Sequence, residues 1–227
     1  MGGVNFKSLK TRLLSAVVLI PVVLWIIWTG QKTFTALLIV AACMTLYEWW
    51  EMARKMPKPR LMMALGVAYI LASYLSYYLL REWFGFGPTM LCMISVWASD
   101  SGAYFAGKFI GGPKMAPNIS PNKTWAGFAG AVLGPVLINI VLSSGFAFLS
   151  FQELGNSVFF MIPFGVILGS LIGCFGQGGD LLISLIKRKS GVKDTGRLIP
   201  GHGGILDRID SLMPNAILFF LLFYFLR

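Results

Sequence analysis

Apolar residues run in seven long blocks along this chain, with short polar segments between them. The blocks fall at roughly 13–29, 33–53, 61–80, 88–107, 125–149, 158–176 and 209–226. A transmembrane helix needs about 20 predominantly apolar residues, and each block is near or above that length. Pro57 and Pro59 punctuate one connection, and Gly85, Gly87 and Pro88 the next. The run Gly176-Gln177-Gly178-Gly179 predicts a break between the sixth block and a further helix over 180–189. No internal repeat is visible, which weakens an inverted-repeat transporter. No Gly-x-x-x-Gly face stands out in an apolar block. The expected fold is all-α, a polytopic integral membrane protein of about seven transmembrane helices.

Composition agrees. The 227 residues are 56% hydrophobic and 12% charged, with a mean hydropathy of +0.74. Soluble domains carry about 25% charged residues, so these charges are too few to cover a water-facing surface. Cys43, Cys92 and Cys174 each lie in an apolar run without Cys-x-x-Cys spacing. They read as small buried hydrophobes, with no disulfide framework and no zinc site. Lys7, Lys10 and Arg12 precede the first block as in a signal peptide, but Leu13 to Trp28 has no small-residue cleavage site. A retained helix is expected there.

Charge gives orientation. With the N-terminus in the cytoplasm, all of the 19 Lys and Arg except Lys32, Arg81 and Arg227 fall in cytoplasmic segments. That asymmetry satisfies the positive-inside rule. Attraction to anionic headgroups accounts for Arg54, Lys55, Lys58 and Arg60, which have no Gly or Asp among them. It does not account for the connections at 108–124 and 184–210, where charge interleaves with Gly, Pro and Asp.

The five Asp are Asp100, Asp180, Asp194, Asp207 and Asp210. All lie at or near cytoplasmic helix ends or in the last cytoplasmic connection. The four Glu, Glu48, Glu51, Glu82 and Glu153, sit elsewhere, near span ends. An Asp near hydrocarbon depth costs about 2.5–3.5 kcal/mol on insertion scales, so it needs a partner or a function. The spacing of Asp207 and Asp210 places both on one helix face. Converging carboxylates suit a hard cation such as Mg²⁺, whose remaining positions take substrate phosphates. The competing reading is a set of salt bridges among Asp180, Asp207, Asp210, Arg188 and Arg208.

Glycine turns at 176–179 and 201–204 offer backbone N–H groups to anions, although neither is a Walker A loop. His202, the only histidine, either bonds within its turn or contacts phosphate. Pro113, Pro117 and Pro121 exclude a helix and impose an extended path. Ser120, Asn122, Lys123 and Thr124 then present donors at the start of the next helix, a phosphate-binding arrangement. The plainer alternative is a rigid loop closed by Thr124 as an N-cap.

The stretch from Ser184 to Asp210 resembles the signature of the phosphatidate cytidylyltransferases. Its fixed positions, Ser184, Lys187-Arg188, Lys193-Asp194, His202-Gly203-Gly204, Asp207-Arg208 and Asp210, all match. Asp100-Ser101-Gly102-Ala103-Tyr104-Phe105 and Ser120-Pro121-Asn122-Lys123-Thr124-Trp125 are also similar to family motifs, in the family's order. The resemblance covers roughly 90–215. It implies transfer of a cytidylyl group from CTP to phosphatidic acid, giving CDP-diacylglycerol and pyrophosphate, with Mg²⁺ and room for a second metal ion.

By this resemblance Asp180 and Asp207 are the metal ligands, with Asp210 and Asp100 next. Lys123, Lys187, Arg188, Lys193 and Arg208 contact phosphates, and Ser120 and Thr124 touch phosphate or an ion. His202, Gly203 and Gly204 join the substrate-binding set. The implied organisation is 1–90 as N-terminal transmembrane helices and 91–227 as a catalytic region. The implied location is the bacterial inner membrane, with the active site facing the cytoplasm. A homodimer stays open. Two positions depart from the family's usual pattern: Ala126 and Ile183 stand where it has Glu or Gln and Glu.

The alternatives are a CTP-dependent enzyme acting on an isoprenoid or ether lipid phosphate, and an ion or phosphate transporter. A transporter predicts acids distributed through the membrane, whereas these acids keep to one face.

Overall fold

Gly30 and Gly85 set the first two corners of the chain. Their φ values of 136° and 83° lie where only glycine is unstrained, and each ends one helix and starts the next. The computed structural model describes residue 17 and residues 21–150, 158–196, 198 and 203–227, with backbone alone at 143–150 and 158–162. The order is α1 (21–29), α2 (Gln31–Ala53), α3 (Pro59–Phe84), α4 (Phe86–Phe109), β1 (Lys114–Ala116), β2 (Ser120–Thr124), α5 (Trp125–Ser150), α6 (Val158–Lys189), α7 (Leu206–Ile209) and α8 (Leu212–Leu226).

The protein is a helical membrane protein. Among the described residues four helices are long and apolar enough to cross a bilayer: Gln31–Ala53, Pro59–Phe84, Trp125–Leu142 and Pro163–Lys189. Of the first predicted block, 13–29, residue 17 and residues 21–29 lie within the described residues, the latter as α1. Helix α4 forms where the fourth block was expected, with Ser95, Ser99, Asp100 and Ser101 interrupting its apolar run. Helix α8 is apolar and only 15 residues long. Large side chains such as Trp28, Ile39, Leu137 and Ile167 are exposed, as lipid-facing residues are. Cys43 and Cys174 are exposed as well, so only Cys92 is the buried hydrophobe expected of all three.

The chain divides into two compact units. One comprises Met1–Tyr78 with Ile186–Ile209, the other Leu79–Leu185 with Asp210–Arg227. In the first unit α3 lies tight on α2. A Cβ at Gly66 would stand inside the ring of Trp49, whose Nε1 donates to the Met62 carbonyl at 3.0 Å. Thr45 and the Tyr74 hydroxyl bond at 2.8 Å, and Phe34 meets Tyr77 edge to face at 5.5 Å.

In the second unit glycines bring backbones together. Gly102 and Gly130 each approach the other's carbonyl, and Gly134 meets the Ala98 carbonyl, so α4 and α5 pack almost without side chains between them. Gly169 and Gly173 do the same for α6 on α5. These residues correct the reading that no Gly-x-x-x-Gly face exists. Gly130-Ala131-Val132-Leu133-Gly134 is one, and Gly165, Gly169 and Gly173 continue another at the same spacing. Both rows are used inside the chain.

Pro135 sits within α5 and has no N–H for the Ala131 carbonyl. The Ser99 hydroxyl donates to that carbonyl instead, at 2.8 Å. Asn139 Nδ2 binds Ser95 Oγ at 3.0 Å and the Pro135 carbonyl at 2.8 Å. Polar groups in this apolar unit thus repair the backbone of α5.

Three further expectations change. Helix α6 runs unbroken through Gly176-Gln177-Gly178-Gly179. Those glycines admit the start of α8 rather than bending the chain: a Cβ on Gly179 would strike the Asp210 carbonyl and Pro214, and one on Gly176 would crowd Asn215. The proline-rich segment is not plain extended chain but an antiparallel hairpin, pairing Lys114 with Thr124 and Ala116 with Ser120. It is a small exception to the all-α expectation. Helix α7 ends at Ile209, so Asp207 and Asp210 do not share one helix face. Asp210 lies in the turn before α8.

Candidate active site

In the first unit, Asp207 is the centre of a closed set of bonds. Lys187, in the last turn of α6, donates from Nζ to Asp207 Oδ1 at 2.6 Å. The other oxygen, Oδ2, accepts from Thr195 N at 2.9 Å, Thr195 Oγ1 at 3.0 Å and Gly204 N at 3.3 Å. The Lys187 and Asp207 side chains are 13% and 7% exposed. Burial works to raise the Asp207 pKa, but the Lys187 hydrogen bond and charge and the Thr195 donors outweigh it. The carboxyl is held below its ordinary value. Gly203, with φ 83°, makes the turn that brings the Gly204 N–H inward.

Glu48 lies in α2 and is 1% exposed. Its Oε2 accepts from Thr195 Oγ1 at 2.8 Å and Leu206 N at 3.0 Å, and its Oε1 from Ile205 N at 2.9 Å. A cleft of about 640 Å³ opens beside it. Tyr47, Glu51 and Lys55 line one side, and Lys193, Asp194 and Thr195 the other. The cleft therefore offers ammonium groups, carboxylates and an exposed aromatic ring.

In the second unit, Lys123 of β2 pairs with Asp180 of α6. Lys123 Nζ lies 2.7 Å from Asp180 Oδ2 and donates to Gln177 Oε1 at 2.9 Å. Asp180 Oδ1 accepts from Ser184 Oγ at 3.2 Å, one turn along the same helix. Ser211 links two more acids: its N–H donates to Asp210 Oδ1 at 2.8 Å and its hydroxyl to Asp100 Oδ1 at 3.3 Å. The buried Thr124 hydroxyl accepts from Gly127 N at 3.0 Å, which makes it the N-cap of α5. Ser120 is half-buried at the start of β2.

The structure thus gives Asp180 and Asp207 ion-pair partners, but these are Lys123 and Lys187 rather than the arginines weighed from sequence. Arg188, Lys193, Asp194 and Arg208 are exposed. His202 lies outside the described residues. Among the described residues no group of three His, Cys, Asp or Glu converges. Donor chemistry still suits a hard cation at Asp180, a carboxylate 32% exposed with a hydroxyl beside it. Asp207 takes three protein donors on Oδ2 and one, Lys187, on Oδ1, so Oδ1 is its less occupied oxygen.

Sequence reasoning passed over Glu48, Thr195 and Gln177. A carboxylate within an apolar block was the available signal for Glu48, by the insertion-cost argument applied to the aspartates. Gln177 was read only as part of a glycine run.

The fold defines a polytopic helical membrane protein that carries paired lysines and carboxylates in each of its two units. The chain belongs to the Cytidylyltransferase family, whose sequence model matches residues 10–83 and 58–226. It is 34% identical over 268 residues to the phosphatidate cytidylyltransferase of Brucella suis biovar 1 (strain 1330), spanning 95% of this chain and 93% of that one. The Rickettsia felis protein of the same name is 34% identical over 220 residues, spanning 95% and 92%. That of Haemophilus influenzae is 39% identical over 198 residues, spanning 84% of this chain and 64% of its own length.

Proposed function

We propose that this chain is an enzyme that transfers a cytidylyl group from CTP to phosphatidic acid, forming CDP-diacylglycerol and pyrophosphate in phospholipid biosynthesis. The observation that carries the reading is the folding of the signature stretch. Lys187, Thr195, Gly204 and Asp207 are bonded into one unit, with Lys193 and Asp194 lining the adjoining cleft. Lysines suit the phosphates of CTP. Carboxylates and an aromatic ring suit the donors and the base of a nucleoside. The names of the relatives point the same way.

An oxygen of the lipid phosphate attacks the α-phosphorus of CTP, and the bond to the departing pyrophosphate breaks. Both reactants are anionic, so cations must offset their repulsion and the charge growing on the leaving group. Lys123, Lys187, Arg188, Lys193 and Arg208 are the proposed phosphate contacts. Asp180, Asp207 and Asp210 are the proposed holders of Mg²⁺, which would supply Lewis-acid stabilisation of the phosphates. The lipid brings the nucleophile, so no Ser-His-Asp arrangement is needed.

On this reading the chain has seven spans and a cytoplasmic N-terminus, and works at the cytoplasmic face of the inner membrane. The test is turnover by purified protein with phosphatidic acid, labelled CTP and Mg²⁺, against an EDTA control. A labelled CDP-lipid that requires Mg²⁺ is expected, and Asp180→Asn and Asp207→Asn are each expected to abolish it in folded protein. Folded wild type that makes no CDP-lipid at saturating CTP overturns the reading. Product from an isoprenoid phosphate but not from phosphatidic acid reassigns the acceptor.

A further inference from the structure

Glu48 is 147 residues from Thr195 in sequence and shares no motif with the signature. The geometry points to Glu48 as a positioning residue for the Asp207 segment, acting through Thr195 and the backbone that leads into α7. The inference rests on the cytidylyl-transfer reading and adds to it a residue from the N-terminal helices.

Three observations converge. First, Glu48 is fully buried and its three described donors, the Thr195 hydroxyl and the Ile205 and Leu206 N–H groups, all come from the chain flanking Asp207. Hydrogen bonds to a carboxylate are charge-assisted and roughly twice as strong as neutral ones. Second, the loop is shaped to reach it. A Cβ on Gly196 would press on Glu48 Oε1, and one on Gly204 would strike Thr195 Oγ1 and crowd Glu48 Oε2. Third, Thr195 Oγ1 lies 2.8 Å from Glu48 Oε2 and 3.0 Å from Asp207 Oδ2. A hydroxyl has one proton, so the two carboxylates share a single donor. The position of one therefore bears on the bonding of the other.

Glutamine at 48 would keep one acceptor oxygen and turn an NH₂ group toward the donor-only N–H of Ile205 or of Leu206. The loop would lose its fixed seat, and Asp207 with it. Outer groups that orient a working carboxylate typically change activity about 10- to 100-fold. Kinetics of Glu48→Gln, Thr195→Val and Thr195→Ser test this against Thr45→Val, a buried hydroxyl lost from the same helix. Glu48→Gln and Thr195→Val are expected to lower kcat by about 10- to 100-fold with KM for CTP changed much less. Thr195→Ser should retain kcat. The double variant Glu48→Gln/Thr195→Val should be little worse than either single one. Thr45→Val should lower thermal stability and leave kcat.

Folded Glu48→Gln and Thr195→Val with wild-type kcat would overturn the inference. So would a Thr45→Val that loses kcat as they do at the same loss of stability. Amide exchange at Ile205 and Leu206 separates this from failure of the proposed function, because it needs no turnover. Faster exchange in Glu48→Gln, with the α2 amides unchanged, supports the anchor; unchanged exchange at both amides removes it.

Discussion

Lys187 and Asp207 show how little of a pair's identity lies in spacing. Both stood out as chemical residues in the sequence, yet the arginines at 188 and 208 were weighed as the ion-pair partners and Lys187 was not. The fold selects Lys187 because its Nζ reaches inward while Arg188 is on the exposed side of the last turn of α6. Removing one partner of a buried pair leaves an uncompensated charge, which costs about 3–5 kcal/mol. Lys187→Met should destabilise toward the low end of that range, since three Thr195 and Gly204 donors remain on Asp207. Lys187→Met/Asp207→Asn should recover part of the loss. Chemical unfolding in detergent measures both. The lysines and aspartates were legible because charge is rare in this chain. The role of Glu48 was not, because its partners are the hydroxyl and backbone N–H groups of a distant loop, and backbone donors leave no mark in a sequence.

The helices were legible from their apolar length, and α2 to α5 fall close to the predicted blocks. What glycine does inside them was not. The same residue type breaks the chain at Gly30 and Gly85, where φ is positive, and joins helices at Gly102, Gly130 and Gly134. Only the neighbouring backbone decides between the two. Gly178 and Gly179 make the contrast testable within one turn of α6. A Cβ at Gly178 meets nothing within 4 Å, whereas one at Gly179 strikes the Asp210 carbonyl and Pro214. Gly178→Ala should leave stability unchanged or raise it by up to about 1 kcal/mol from helix propensity. Gly179→Ala should lower the melting temperature and turnover together. Thermal unfolding of the two purified variants distinguishes them.

For the whole molecule, the membrane class was legible in the sequence, but the division into two compact units was not. One of these joins Met1–Tyr78 to the distant segment Ile186–Ile209, a pairing that no local pattern announces. The orientation proposed from charge has a direct check. In a background without Cys43, Cys92 and Cys174, single cysteines replacing Lys58 and Lys114 should react with an impermeant reagent only from the cytoplasmic side. One replacing Lys32 should react only from the other side, and the reverse pattern would invert the topology. Helix α6 carries a consequence of its own. Its 32 residues rise about 48 Å, against about 30 Å of hydrocarbon, and no loop interrupts them to take up slack. Inserting one residue between Pro163 and Gln177 would turn everything beyond it by about 100° and carry Asp180 away from Lys123. Along that stretch the protein cannot gain or lose a residue, so changes in length have to be accommodated in the connections.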